Sequence, residues 1–439
     1  MRVRLPHPLV LLLGAVFVAA ALTWVIPAGK YQRRTDAATG REVVIAGTYA
    51  RVEPAPVGPM GALLAVARGI VAGADVILTI LLVGGTFALL DMTGALGRLV
   101  GSLVGRTSRP RLVVIAVSLA FATLGALENM QEEIVALVPV LLVLSRGLGF
   151  GVITAIAMSA GAAAVGAAFG PTNPFQTQIA LRFAELPLMT LPVLRFSLFA
   201  AAVALWIAWT LAMTKRDDVA HHGPAIPTEP ATRRDAILLA IALVAFIPYV
   251  IGVLKFNYGF NELSAFFLVA GFAVGLTSGR DLTTTTRDFL KGMETMLAPA
   301  LFVGVARAIS VVFTDGQVID SIVHGLALPL NYLPGSVAAL TMIPMHALIH
   351  VPVSSVSAQA VLTMPIMAPL SDLLSIPRDA AVIAYQTGAG LMDMITPTNG
   401  ALLAVLLSAR LSYGRWLRFA VPGALLVATV GVVGVLLAV

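Results

Sequence analysis

Two short polar runs in an otherwise apolar chain carry side chains that can bind ions. Pro171-Thr172-Asn173 recurs as Pro397-Thr398-Asn399 at an offset of 226 residues, and the same offset carries Pro139 onto Pro365 and Ser145 onto Ser371. Each run follows small residues, Gly161 to Gly170 in one case and Gly388-Ala389-Gly390 in the other. Proline removes a backbone donor and clashes with the preceding turn, so a helix breaks there. The broken end exposes carbonyls and amides, and threonine and asparagine add a hydroxyl and an amide. Together these suit a carboxylate or a desolvated Na⁺. A capped proline kink is the plain alternative for one copy; two copies at one offset favour a binding site built twice. A Na⁺ near Asn173 and near Asn399 is expected on this basis.

Four further groups join this candidate site. Glu128-Asn129-Met130-Gln131-Glu132-Glu133 crowds three carboxylates into one turn, and Glu128 and Glu132, four apart, would share a helix face and repel. Inside a membrane such groups need protonation, pairing or a bound cation, which suits proton or cation coupling; an ordinary solvated loop is the alternative. The matching turn in the second half is Ser354-Ser355-Val356-Ser357-Ala358-Gln359, whose serines and glutamine supply neutral donors and acceptors. Arg307 lies in the apolar run Gly304 to Ile309, where it pairs with a glutamate or holds a substrate carboxylate. Asp393, three residues before Thr396, reads as a cation ligand or as a cap for the broken helix. His346 and His350 precede the serine-rich turn and read as hydrogen-bonded packing residues rather than proton shuttles; His221 and His222 read as solvated.

Helices in a bilayer must position these groups. Of 439 residues 59% are hydrophobic and 11% charged, and the mean hydropathy is +0.95, against about 25% charged in soluble domains. Apolar runs fall at about 8–27, 76–95, 112–127, 134–145, 151–170, 174–190, 194–213, 236–254, 262–279, 297–313, 334–350, 360–371, 379–396 and 417–438. Most approach the length that crosses a bilayer. There is no cysteine, which excludes disulfides and thiolate metal sites. The net charge of +6 collects in short loops, as the positive-inside rule expects, rather than in a nucleic-acid-binding face. The basic start and the apolar run to Ile26 read as a retained first helix, with the N-terminus cytoplasmic.

Outside the bilayer, Arg41 to Ile45 and Gly47 to Val52 read as a small β-hairpin. With Arg98, Arg106, Arg109, Arg111, Arg146, Lys215, Arg216, Arg233 and Arg234 all cytoplasmic, 112–127 and 134–145 cannot both cross and form a re-entrant hairpin. The segments 334–350 and 360–371 then enter from outside, while Arg410, Arg415 and Arg418 fall on the cytoplasmic side. The expected fold is an all-α polytopic membrane protein of two inverted repeats, each with a re-entrant hairpin and a broken transmembrane helix. It has nine crossings, two hairpins and an external C-terminus. The divisions are 1–58 (first helix and external loop), 59–213 (repeat 1), 214–235 (cytoplasmic linker), 236–280 (scaffold helices) and 281–439 (repeat 2).

These features resemble the YfcC branch of the DcuC-type family of anaerobic four-carbon dicarboxylate carriers. The resemblance is carried by Ile26 to Tyr31, Gly47-Thr48-Tyr49, Gly84-Gly85, Thr93-Gly94, Glu132-Glu133 and Asn173-Pro174-Phe175 in the first half. In the second half it is carried by Val303-Gly304, Asp315-Gly316, Ser355, Ala358-Gln359-Ala360, Met364-Pro365-Ile366 and Ile395 to Thr398, and Ser355 to Tyr413 is the most specific part. The resemblance implies inverted repeats with re-entrant hairpins, a homodimer and elevator-like motion. It departs from the better-studied dicarboxylate branch of the superfamily, which has Ser-Asn-Thr where this chain has a glutamate-rich and a serine-rich turn.

The expected function is ion-coupled secondary transport, driven by Na⁺ or H⁺, of a small carboxylate-bearing solute such as a C4-dicarboxylate or amino acid across the inner membrane. A basic amino-acid antiporter is the alternative, favoured by the acidic turn; a non-transporting membrane scaffold is the alternative of another class. No phosphate-binding glycine loop, nucleophile elbow or metal-spaced histidine set is present, so no enzyme and no cofactor beyond the coupling ion is expected.

Overall fold

The computed structural model describes residues 8–35, 42–106, 109–213, 229–256 and 258–439. Lys215, Arg216, His221 and His222, and with them most of the expected linker, lie outside the described residues. Among those described, eight helices are long and apolar enough to cross a membrane. They are α3 (Ala74–Met92), α5 (Pro110–Glu128), the run Val152–Phe169, α10 (Pro192–Met213), the run Arg233–Gly252, α13 (Phe260–Thr277), α14 (Leu282–Asp315) and α20 (Tyr413–Ala438). Within Val152–Phe169, α7 (Val152–Ile156) and α8 (Ala162–Phe169) flank a π-helical turn at Ala157–Gly161. The chain is a multi-pass, all-α membrane protein.

One succession of elements occurs twice. Helix α5, α6 (Glu132–Gly147), α7 with α8, α9 (Thr177–Phe183) and α10 recur as α16 (Gly335–His350), α17 (Val356–Leu373), α18 (Arg378–Met392), α19 (Gly400–Ser408) and α20. The breaks match too. Residues 129–131 and 351–355 join the first two helices of each set, and 170–176 and 393–399 interrupt the later ones beside the two Pro-Thr-Asn runs.

Small residues bring the helices of each set into contact. Helix α5 lies on α8, where a Cβ at Gly166 would sit 1.9 Å from the Ala122 carbonyl oxygen and one at Gly125 2.1 Å from that of Ala163. In the second set α16 lies on α18, and a Cβ at Gly388 would meet the Ile343 carbonyl oxygen at 2.2 Å. Without water to expel, membrane helices associate through such close packing and through polar contacts between helices. Thr79 and Ser264 hydroxyls meet at 2.8 Å, and Thr86 Oγ1 donates to the Phe267 carbonyl at 2.8 Å, joining α3 to α13. Buried Arg195 of α10 donates to Asp379 at 3.0 Å and to Gln386 at 2.8 Å, joining α10 to α18. A second apolar core packs α1 (Pro8–Leu22) and α2 (Pro59–Ala72) on the C-terminal half of α14 through Leu12, Val16, Ala62, Ala65, Val305 and Ile309.

The structure departs from the sequence reading at three places. The apolar run 174–190 holds only the seven residues of α9, because Pro174 and Pro187 bound it and Arg182 interrupts it. The run 297–313 is part of a 34-residue helix that takes in the polar turns from Thr283 to Glu294. At 1.5 Å per residue it is about 50 Å long, well beyond the hydrocarbon thickness. The two external strand runs do not pair with each other: β3 (Glu42–Val44) pairs with β2 (Arg33–Thr35), and β4 (Ala50–Arg51) with β1 (Gly29–Lys30). A turn at Gly47, φ +76°, separates them, and both fold back on the chain leaving α1. These strands are held to α15 (Ile319–Ala327) by Arg33 on Asp320 at 2.8 Å and by Tyr49 stacked on His324, rings 4.0 Å apart.

Candidate functional site

The two joining turns and the second unwound segment converge on one buried hydrogen-bond network. Gln131 donates from Nε2 to Asp393 Oδ2 at 2.8 Å, and its Oε1 accepts from Asn399 Nδ2 at 3.2 Å. Asn399 Nδ2 also donates to Asp393 Oδ1 at 2.9 Å, while its own Oδ1 caps α19 by accepting from Leu402 N at 3.0 Å. His350, the last residue of α16, places Nε2 at 2.8 Å from Asp393 Oδ1 and Nδ1 at 2.9 Å from Gln359 Oε1. Gln359 Nε2 donates to the His346 carbonyl at 2.8 Å. His346, His350 and Gln359 are fully buried, and Asp393 is 6% exposed. Aromatic side chains steady the unwound segment from α20: Trp416 Nε1 donates to the Met394 carbonyl at 2.8 Å and Tyr413 to that of Ile395 at 2.5 Å. A narrow cleft opens here, lined by Gln131, Asp393, Asn399, Ala164, Val405 and Trp416 among others.

The acidic turn borders this network. Glu128 ends α5 and is 4% exposed, and neither carboxylate oxygen has a hydrogen-bond partner among the described residues. Asn129 adopts the left-handed conformation, φ 60°, and ends α5 with its amide on the Gly125 carbonyl; its buried Oδ1 has no partner among the described residues. Glu133, also buried, accepts from the Gln131 amide at 3.2 Å and is hydrogen-bonded to Tyr249. Glu132 is partly exposed at the start of α6, where Arg307, Asp393 and Asp75 act on it electrostatically. Arg307 donates to the Ala72 carbonyl at 2.8 Å, so its hydrogen bond goes to the open end of α2 rather than to a glutamate.

The first unwound segment is tied to α5 and α18. Asn173 Nδ2 donates to the Gly125 carbonyl at 2.8 Å, and its Oδ1 accepts from the amides of Phe175 and Gln176 at 3.0 and 2.8 Å. Thr177 donates to the Gly170 carbonyl at 2.6 Å and accepts from Gln386 of α18 at 2.7 Å. A Cβ at Gly390 would lie 2.6 Å from Gln176 Nε2, so the two broken elements touch.

Of the residues singled out from sequence, Gln359, Asp393 and Asn399 share one network, with Glu132 and Glu133 beside Gln131. Ser354 and Ser355 lie in the second joining turn and Ser357 in the first turn of α17, which Ser355 caps through the Ala358 amide at 3.4 Å. Thr398 pairs with Thr396 at 2.8 Å. Thr172 is half-buried beside Asn173. Asn173 Oδ1 accepts from two local backbone amides and Asn399 Oδ1 from one. Sequence reading missed Gln131, buried Gln176 and the role of His350. The first two were visible only as residues flanking quoted motifs, and the third only as a polar residue four before a serine.

The fold and this site define a multi-pass membrane protein with a polar junction enclosed by broken helices. The chain belongs to the C4-dicarboxylate anaerobic carrier (DcuC) family, whose model matches residues 5–439. It is therefore a membrane transporter of a small-molecule solute and not an enzyme. A Haemophilus influenzae protein described as uncharacterized is 26% identical, covering 95% of this chain and 93% of its own. The putative basic amino acid antiporter YfcC of Escherichia coli is also 26% identical over the same shares. The Alcanivorax borkumensis YdaH transporter (19% identity, TM-score 0.44, covering 98% of each chain) is among the solved structures it resembles. Another is Neisseria gonorrhoeae MtrF (15%, 0.42, 99% of this chain and 95% of that one).

Proposed function

We propose that this protein is an ion-coupled secondary transporter of a small amino acid that carries a cationic group besides its carboxylate. It works in the inner membrane, with its N-terminus cytoplasmic and its two element sets inverted about the bilayer plane. One observation carries the substrate class: Glu128 keeps two unpartnered carboxylate oxygens in a buried turn. An unpaired carboxylate is costly at membrane depth. Glu132, Glu133 and Asp393 stand close by, with Arg307 as the cation beside them. A C4-dicarboxylate would bring two further negative charges into this setting, whereas an amino group relieves it. Arg307, whose guanidinium has donors beyond the one given to the Ala72 carbonyl, supplies the complementary donor for the substrate carboxylate. The name of the Escherichia coli relative agrees with this choice; the family description favours a dicarboxylate as the second reading.

A thermal-shift panel of arginine, ornithine, succinate and fumarate on the purified protein separates the two. Stabilisation by the basic amino acids alone is expected, and stabilisation by succinate or fumarate alone overturns the substrate class. Inverted, re-entrant topology is tested by single cysteines in this cysteine-free chain. Ile45→Cys is labelled only from outside and Ala225→Cys only from the cytoplasm; labelling from one side for both contradicts it. The homodimer and elevator motion implied by the resemblance are part of the same reading. Cross-linking in native membranes is expected to give a dimer.

A further inference from the structure

The hydrogen bonds around His350 fix the position of every amide that touches it. Gln359 Nε2 donates to the His346 carbonyl at 2.8 Å, so its Oε1 faces His350 and Nδ1 of the imidazole must carry a hydrogen. Asp393 accepts from Asn399 on Oδ1 and from Gln131 on Oδ2. Both amides are oriented in turn, Asn399 by the Leu402 amide on its Oδ1 and Gln131 by Asn399 on its Oε1. The remaining contact, Nε2 to Oδ1 at 2.8 Å, therefore has room for a single proton. With that proton the pair is imidazolium and carboxylate, or imidazole and carboxylic acid, and the contact is a hydrogen bond in either form. Without it, the imidazole keeps one hydrogen for two acceptors, so a ring lone pair faces either the Asp393 carboxylate or Gln359 Oε1 and one of the two contacts is repulsive.

We infer that the proton held between His350 Nε2 and Asp393 Oδ1 is a latch: bound, it ties the turn between α16 and α17 to the unwound segment after α18, and its loss to water frees that turn. Only an N–H or O–H bond breaks, and the proton leaves to solvent. The latch joins three segments at once, because Asp393 and Asn399 also hold Gln131 of the first joining turn. The other titratable or charged groups around it are few. His346 of α16 and Tyr385 of α18 lie on one side, rings 5.4 Å apart, and the Tyr385 hydroxyl is engaged by the Val356 carbonyl. Glu132 and Glu133 of α6 border Gln131, with Arg307 of α14 and Asp75 of α3 near Glu132. None of these has a hydrogen bond to either partner of the pair. On the proposed transport reading, this proton is the coupling ion.

The test needs no substrate. Paired cysteines at Ala358, exposed in α17, and Leu425, exposed in α20, carry spin labels in the full-length protein in nanodiscs. Their separation is read by double electron–electron resonance across a pH series. A second, altered distance population is expected to grow as pH rises. His350→Gln keeps an amide donor aimed at Asp393 at every pH, so this variant is expected to hold the low-pH distance throughout. An unchanged wild-type distribution overturns the latch, as does a His350→Gln shift equal to that of the wild type. A wild-type protein that moves with pH but transports neither arginine nor ornithine nor succinate refutes the proposed function while the latch stands.

Discussion

Gly166→Ala adds one methyl group where α5 and α8 cross, and the geometry fixes its effect. The new Cβ would lie 1.9 Å from the Ala122 carbonyl oxygen, 2.6 Å from its carbon and 2.7 Å from its Cα. All three are backbone atoms of a helix, so no side chain can swing aside. An ordinary carbon–oxygen contact is more than about 3 Å, so the helices must part by roughly 1 Å or the backbone must bend. Overpacking of this kind costs about 1–3 kcal/mol, and the absence of a movable neighbour puts this site near the upper end. For a chain of 439 residues, about 3 kcal/mol lowers the unfolding midpoint by at least about 3 °C on the entropy scaling of folded chains. The Asn173 bond to the Gly125 carbonyl crosses the same interface and should loosen with it. The assay is thermal unfolding of purified protein followed by tryptophan fluorescence, with Gly151→Ala as control, since a Cβ there meets nothing within 4 Å. A Gly166→Ala protein as stable as the wild type and the control would refute the close crossing of α5 and α8.

Other substitutions probe the site and its supports. Gln131→Ala leaves Asp393 Oδ2 without its donor, a loss of about 1–3 kcal/mol, so arginine affinity by isothermal titration should fall about tenfold. Trp416→Phe keeps an aromatic ring but shrinks it and abandons the Met394 carbonyl, and should cost about 1–3 kcal/mol in thermal stability, with Trp416→Ala costing more, about 3–5 kcal/mol. Glu133→Gln replaces a buried, titratable carboxyl group beside Gln131 with a neutral amide of the same size; transport should lose its dependence on the driving ion or its affinity for a basic amino acid, with insertion unchanged. Outside the spanning helices, Arg378 contacts Asp372 at 2.6 Å and holds its carboxyl below the usual carboxylate range. That contribution is present above the unfolded pKa, about 4, and is lost as pH falls through the lower folded value. As a solvent-exposed pair it should be worth under about 1 kcal/mol, measured as a small flattening of the acid unfolding curve in Asp372→Asn.

Much of this architecture is legible in one sequence because membrane helices must satisfy their own backbone and so announce themselves by length and apolarity. The Pro-Thr-Asn runs were equally legible, since a proline after a small-residue helix forces a break, and the breaks fall at 170–176 and 393–399. What was hidden is partnership. Nothing in the spacing shows that Asn173 and Asn399 turn their side-chain oxygens onto local backbone amides, or that Gln131 reaches Asp393 across 262 positions. His350 read as packing because a lone histidine in an apolar run usually is. Its role appears only once Asp393 and Gln359 are seen on its two nitrogens. Helix α9 was misread as a span because apolarity was counted across Pro174 and Pro187. The external strands were paired in the wrong order because β-propensity carries no register.

Counterflow in proteoliposomes tests the central claim most directly. Liposomes containing the purified full-length protein are loaded with unlabelled arginine and diluted into labelled arginine. Transient accumulation of label above equilibrium is predicted, reduced by external ornithine and abolished in Asp393→Ala. Arginine and ornithine both failing to drive counterflow, while succinate drives it, would contradict the assignment of a cationic amino acid to this site.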